Sequence, residues 1–193
     1  MNDLDLVRRV TRDLWYWQGL RFVPIGIVGL VAGVTYSPAW PEAVPEGVVL
    51  LLGFVIAVVG YRAADRYYAR TMGTVHPDLT MTRLRSQVKW FAVYPAMVLS
   101  LVLDAALAPS VFVSGPVWAA SLVLYWWSTG RGREHYLVLA SLTALFAFLP
   151  IAEPTLAGRA AFGVFFAWFG LVYVIAGILD HVALTRALPA RAS

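Results

Sequence analysis

The chain has 193 residues, of which 60% are hydrophobic and 13% are charged, and its net charge is +4. A soluble domain usually carries about 25% charged residues, so this composition argues against a water-soluble globular protein and indicates a surface that faces lipid. The absence of cysteine excludes disulfides, thiolate metal sites and cysteine nucleophiles. The preference for arginine over lysine favours a GC-rich bacterial genome.

Residues 1–19 predict an amphipathic helix that lies in the membrane interface. Apolar side chains recur at three- and four-residue intervals from Val7 to Trp17, which is the spacing of one helix face. Several arginines lie away from this face, where they suit anionic headgroups. The polar region is too long and too acidic for a cleaved signal peptide.

We predict an all-α polytopic membrane protein in which residues 20–186 form six transmembrane helices in three hairpins. The chain then ends in a short basic tail, residues 187–193. The predicted spans are approximately Leu20–Tyr36, Gly47–Tyr61, Trp90 to Asp104–Ala108, a stretch within Ala105–Gly130, Tyr136–Ala152 and Ala160–Leu179.

Local signals refine two of these spans. The second span is shorter than the roughly 20 residues that a bilayer needs. We therefore expect its helix to continue into the polar segment through Met72, with Gly73 as the C-terminal stop. Pro109 and Pro116 are expected to interrupt the fourth span.

The first and sixth spans each carry a face of small residues, which lets helix backbones approach closely. Arg21, near the start of the first span, is expected to extend toward the headgroups. The small residues are Gly26, Gly29 and Gly33 in the first span and Gly163, Ala167 and Gly170 in the sixth.

Residues 61–89 form the one long polar segment and predict a cytosolic helical hairpin. Asp65 is expected to pair with Arg62, one turn earlier. The basic and aromatic side chains indicate a surface that binds anionic headgroups or a cytosolic protein. The predicted binding residues are Arg62, Arg66, Tyr67, Tyr68, Arg70, Arg83 and Arg85.

The distribution of basic residues predicts the orientation. Basic residues resist translocation and collect in cytosolic loops. With both termini, residues 61–89 and the Ser128–His135 loop inside, fourteen of the 15 basic residues are cytosolic and only Arg159 is outside. We therefore predict a multi-pass protein of the bacterial inner membrane with both termini in the cytosol.

Histidines beside acidic residues are the candidates for catalysis. A histidine with a carboxylate is what a general base or a divalent metal site needs. The spacing matches no zinc motif, so we predict no metal site and no cofactor, and interfacial histidines are favoured. The candidate catalytic residues of the alternative interpretation are His76, His135, Asp180 and His181.

A weak internal regularity has two interpretations. Several prolines recur at an offset of 71 residues, and the same offset relates Arg62 to Arg133. This would make the first two hairpins related copies. Chance is the simpler interpretation, because membrane turns collect proline.

No motif identifies a reaction. The spans lack charge away from their ends, which argues against an ion-coupled transporter. The leading hypothesis is a non-enzymatic subunit of a transport or membrane assembly that binds a neutral or apolar solute or docks a cytosolic partner. The alternatives are an enzyme acting on a lipid at the cytosolic leaflet and a structural, oligomerising protein. The candidate partners are lipids, a cytosolic protein and further copies of the chain, and nucleic acid is not expected.

Overall fold

The computed structural model describes residues 18–41, 43–72, 93, 95–104, 106–107, 111–129, 133–152 and 159–187. No strand occurs in these ranges, so the all-α prediction is confirmed for this part of the chain. The predicted amphipathic helix up to residue 17, the second arm of the 61–89 hairpin and the tail from residue 188 lie outside the described residues.

The described part of the chain begins with a 3-10 turn, Gly19–Arg21. Helices follow in the order α1 Phe22–Thr35, α2 Glu46–Met72, α3 Pro95–Asp104, α4 Ser114–Thr129, α5 His135–Phe146, α6 Leu149–Ala152 and α7 Arg159–Ala187.

Within the described ranges, two helices are long and apolar enough to cross a membrane, over Glu46–Thr71 in α2 and Ala160–Arg186 in α7. Helices α1, α3 and α5 are apolar but shorter. The prediction of six spans is therefore supported for two segments and stays a prediction for the others. Helix α2 does continue through the polar residues to Met72, as the sequence predicts.

Helices α4, α5 and α6 differ from the predicted fourth and fifth spans. Pro116 lies in the first turn of α4 and does not interrupt it, because the N–H groups of a first turn have no partner within the helix. The predicted fifth span is divided, since α5 ends at Phe146 and α6 begins only at Leu149. Pro109 lies outside the described residues.

The chain forms two compact units. The first, the terminal unit, comprises residues 1–77 and 162–193; the second, the central unit, comprises residues 78–161. The terminal unit contains α1, α2 and most of α7. The central unit contains α3 to α6.

The terminal unit is organised around backbone contact between α1 and α7. A Cβ atom added to Gly26 would lie 2.6 Å from the carbonyl oxygen of Gly170, and one added to Gly29 would lie 2.7 Å from the Gly170 Cα. A Cβ on Gly33 would lie 2.6 Å from the Cβ of Ala167. The two small faces found in the sequence therefore pack against each other, at distances that leave no room for a side chain at Gly26, Gly29 or Gly33.

A carboxylate holds the start of α4 in the central unit. Asp104 accepts hydrogen bonds from the backbone N–H groups of Val113, at 2.7 Å, and Ser114, at 2.9 Å. These donors have no acceptor within the helix, and a negative charge is favourable at a helix N-terminus. Asp104 is only 7% exposed, so this contact is buried within the central unit.

The helices follow the 71-residue offset in part. Shifted by 71 residues, α1 covers positions 93–106, which include the whole of α3, and the first turns of α2 fall within α4. Arg62 lies inside α2, however, whereas Arg133 lies between α4 and α5. Both interpretations of the regularity therefore stay open.

Candidate functional site

The terminal unit contains a polar cluster that we call the polar junction. It lies where the 3-10 turn before α1 meets the later turns of α2 and α7. Its members are Arg21 from the turn, Asp65 and Tyr68 from α2, and Asp180 and His181 from α7. Tyr68 and Asp180 are fully buried and Arg21 is 8% exposed.

An ion pair joins the turn to α2. The Arg21 guanidinium donates a hydrogen bond to Oδ1 of Asp65, and its Cζ lies 5.7 Å from the centroid of the Tyr61 ring. Two predictions are therefore wrong: Arg21 does not extend to the surface, and the described partner of Asp65 is not Arg62. The reason is that a buried guanidinium requires a carboxylate near it, and packing brings Asp65 into reach.

Tyr68 connects all three parts of the polar junction. Its hydroxyl accepts a hydrogen bond from the Leu20 N–H at 3.1 Å and lies 3.1 Å from Nδ1 of His181. The Leu20 N–H is at the start of a helical segment, where an outside acceptor is needed. Tyr68 was expected to bind lipid or a partner, but its burial gives it an internal structural role instead.

Aromatic contacts surround this hydrogen bond. The Tyr67 ring lies 5.3 Å from the Tyr68 ring and 5.8 Å from the His181 ring, in edge-on arrangements. Tyr67 is 41% exposed, so one side of it remains accessible. Of the two predicted binding tyrosines, only Tyr67 is available at the surface.

Two glycines allow the turn to lie against α7. A Cβ atom on Gly177 would lie 2.6 Å from the carbonyl oxygen of Gly19. A side chain here would separate the turn from α7 and open the buried environment of Asp180. The polar junction therefore continues the tight packing of α1 on α7.

Three exposed arginines lie on α2 beside the polar junction, and we call them the arginine stripe: Arg62, Arg66 and Arg70. Their i, i+4 spacing places them on one helix face. Among the residues that the structure describes, no ion pair or hydrogen bond joins them to another group. The acid of this segment, Asp65, pairs with Arg21 instead, which leaves the stripe uniformly positive.

The candidate catalytic residues that the structure describes belong to different units. Asp180 and His181 lie in the polar junction, whereas His135 belongs to the central unit, where its ring lies 4.6 Å from that of Tyr136. His76, like Arg83 and Arg85, lies outside the described residues. Within the described ranges, no group of three or more histidines or acids could hold a metal ion.

Sequence reasoning missed a buried cation in the central unit. Arg133 is fully buried; it donates a hydrogen bond to the Tyr125 hydroxyl at 3.3 Å, and its Cζ lies 5.8 Å from that ring's centroid. The sequence places Arg133 in a basic loop and contains no local signal for its burial. Its contact with Tyr125 arises from the packing of α4 and α5.

No family model matches this sequence, and comparison with curated proteins and with solved structures found no match.

Proposed function

We propose that this chain is a non-enzymatic integral protein of the bacterial inner membrane, with six spans and both termini in the cytosol. It serves as a small subunit of a membrane assembly, and the arginine stripe is the surface on which an acidic cytosolic protein docks. The observation that carries this proposal is an exposed row of three arginines on a helix whose neighbouring acid, Asp65, is paired with Arg21.

The membrane part of the proposal is supported by the outer surface of α2. Leu51, Phe54, Ile56 and Val59 are each 60–63% exposed. Large apolar side chains on a contiguous exposed face are unfavourable in water and suit contact with lipid. The same helix becomes charged from Arg62 onward, as expected where it leaves the apolar part of a bilayer.

The docking part is supported by the packing of α2, the helix that carries the arginine stripe, against the rest of the terminal unit. Helix α2 is continuous from its apolar residues through Arg70. The Arg21–Asp65 pair and the Tyr68 hydrogen bonds tie this part of α2 to the turn and to α7. A preorganised surface loses less conformational entropy on binding, and arginine is well suited to carboxylates because of its planar donor fork.

Site-specific photocrosslinking in cells tests this proposal. A photoreactive amino acid replaces Ala69, an exposed residue beside the stripe, in the parent chain and in the variants Arg66→Glu/Arg70→Glu and Arg66→Lys/Arg70→Lys. We expect one protein adduct in the parent chain, partly retained in the lysine variant. We expect the glutamate variant to lose it about 100-fold or more, because charge-assisted hydrogen bonds contribute about 1.5–3 kcal/mol each.

Arg62, Arg83, Arg85 and Lys89 are unchanged in both variants, and these basic residues of the 61–89 segment should still maintain the orientation of membrane insertion. Adducts that are the same in all three chains would contradict docking through the stripe. Adducts that contain only phospholipid would make the stripe a membrane anchor and would also overturn the proposal.

A further inference from the structure

A groove of about 560 Å³ lies between α1 and α2 in the terminal unit. Its walls are apolar and consist of Ile25 from α1 and Phe54, Ala57 and Val58 from α2. One end is polar and is lined by Tyr61, Arg62 and Asp65.

The order of these residues along α2 matches an elongated amphiphile. Phe54 and Arg62 are eight positions apart, which corresponds to about 12 Å along a helix. A ligand lying along α2 therefore meets apolar side chains over about two turns and then a charged end. This is the order of acyl chain and headgroup in a membrane lipid.

The charges at the polar end of the groove favour a ligand whose headgroup carries the single negative charge of one phosphodiester. Asp65 is already paired with Arg21, so Arg21, Asp65 and Arg62 together carry a net charge of +1. Arg62 is exposed, and a guanidinium binds phosphate oxygens through paired N–H donors. Arg66, one turn farther along α2, adds positive charge and disfavours a headgroup that carries an ammonium.

We propose that this groove is a binding site for one phospholipid with a singly charged anionic headgroup, of the phosphatidylglycerol type. One acyl chain packs on Ile25, Phe54 and Val58, and the phosphodiester pairs with Arg62. The inference rests on the membrane location given under Proposed function. It is independent of protein docking on Arg66 and Arg70.

Native mass spectrometry of the delipidated full chain tests this site with phosphatidylglycerol, phosphatidylethanolamine and diacylglycerol as separate probes. We expect one phosphatidylglycerol per chain, bound about fivefold more tightly than phosphatidylethanolamine, and still weaker binding of diacylglycerol. Arg62→Gln should remove the preference for phosphatidylglycerol. Equal binding of diacylglycerol and phosphatidylglycerol to the parent chain would overturn the proposal.

A matched pair of tryptophan variants tests the position of the lipid. Val58 lines the groove and is 46% exposed, whereas its neighbour Val59 does not line it and is 63% exposed. Val58→Trp should abolish the bound lipid, and Val59→Trp should retain it. Equal lipid binding by the two variants would place the lipid elsewhere and overturn the assignment.

Two further results separate this site from the alternatives. The Arg70→Gln variant, which keeps both Arg62 and Arg66, should retain the bound phosphatidylglycerol, even if the photocrosslinking experiment finds no docked protein. A lipid-free dimer in the parent chain that Val58→Trp dissociates would show instead that a second copy occupies the groove, and would overturn lipid binding.

Discussion

Arg21 and Asp65 lie 44 residues apart in the chain and form an ion pair between the 3-10 turn and α2. The two side chains are in unequal environments, since the side chain of Arg21 alone is 9% exposed and that of Asp65 is 42% exposed. Loss of the carboxylate leaves a buried cation without this partner, whereas loss of the guanidinium leaves a carboxylate that water can solvate. The two single substitutions should therefore differ in cost.

We expect Asp65→Asn to lower the free energy of unfolding by about 1–3 kcal/mol, between the values for exposed and buried pairs. Arg21→Met should cost less, because it removes the buried charge and keeps apolar volume. The double variant should resemble Arg21→Met. Thermal unfolding of the purified protein in detergent measures all three, and a greater loss for Arg21→Met than for Asp65→Asn would contradict this description of the pair.

Tyr68 and Tyr67 provide a second matched comparison. Tyr68→Phe removes the acceptor of the Leu20 N–H and the hydroxyl beside His181, and an unpaired buried donor costs about 1–3 kcal/mol. Tyr67→Phe keeps the ring contacts of a partly exposed side chain and should leave the melting temperature nearly unchanged. Equal melting temperatures for the two variants would show that the Tyr68 hydroxyl is not structurally important.

The packing of α1 on α7 gives a prediction with an internal control. A Cβ on Gly170 would lie 2.8 Å from the carbonyl carbon of Gly29, whereas a Cβ on Gly47 would meet nothing within 4 Å. Overpacking of a close contact costs about 1–3 kcal/mol. Gly170→Ala should therefore lower the melting temperature, and Gly47→Ala should keep or raise it, since alanine favours helix. Tolerance of both variants would contradict the close approach of the helices.

Features encoded by local spacing were predictable from the sequence. Helix α2 reaches Met72 because the residues after Tyr61 are good helix formers without glycine or proline. The small faces of α1 and α7 were also visible, because glycine and alanine recur at helical spacing. Spacing within a helix can reveal such a face, although it cannot show which other helix will cover it.

Features that depend on tertiary packing were not predictable in the same way. The expected partner of Asp65 was Arg62 on the same helix, but the pair with Arg21 requires the turn before α1 to lie beside α2. Tyr68 looked like an interfacial tyrosine, yet its burial depends on contact with Leu20 and His181. The sequence therefore predicted a uniformly exposed basic surface, whereas the structure has a buried polar junction with the exposed arginine stripe beside it.

The most direct test of the account is the sidedness of α2, measured by labelling single cysteines in spheroplasts with a membrane-impermeant maleimide. The natural chain contains no cysteine, so Ala43→Cys and Ala69→Cys each introduce one exposed thiol, before and near the end of α2. We predict that the cysteine at position 43 is labelled in intact spheroplasts and that the one at position 69 is labelled only after permeabilisation. Labelling of position 69 in intact spheroplasts, or recovery of the protein in the soluble fraction, would contradict a membrane-spanning α2 with a cytosolic arginine stripe.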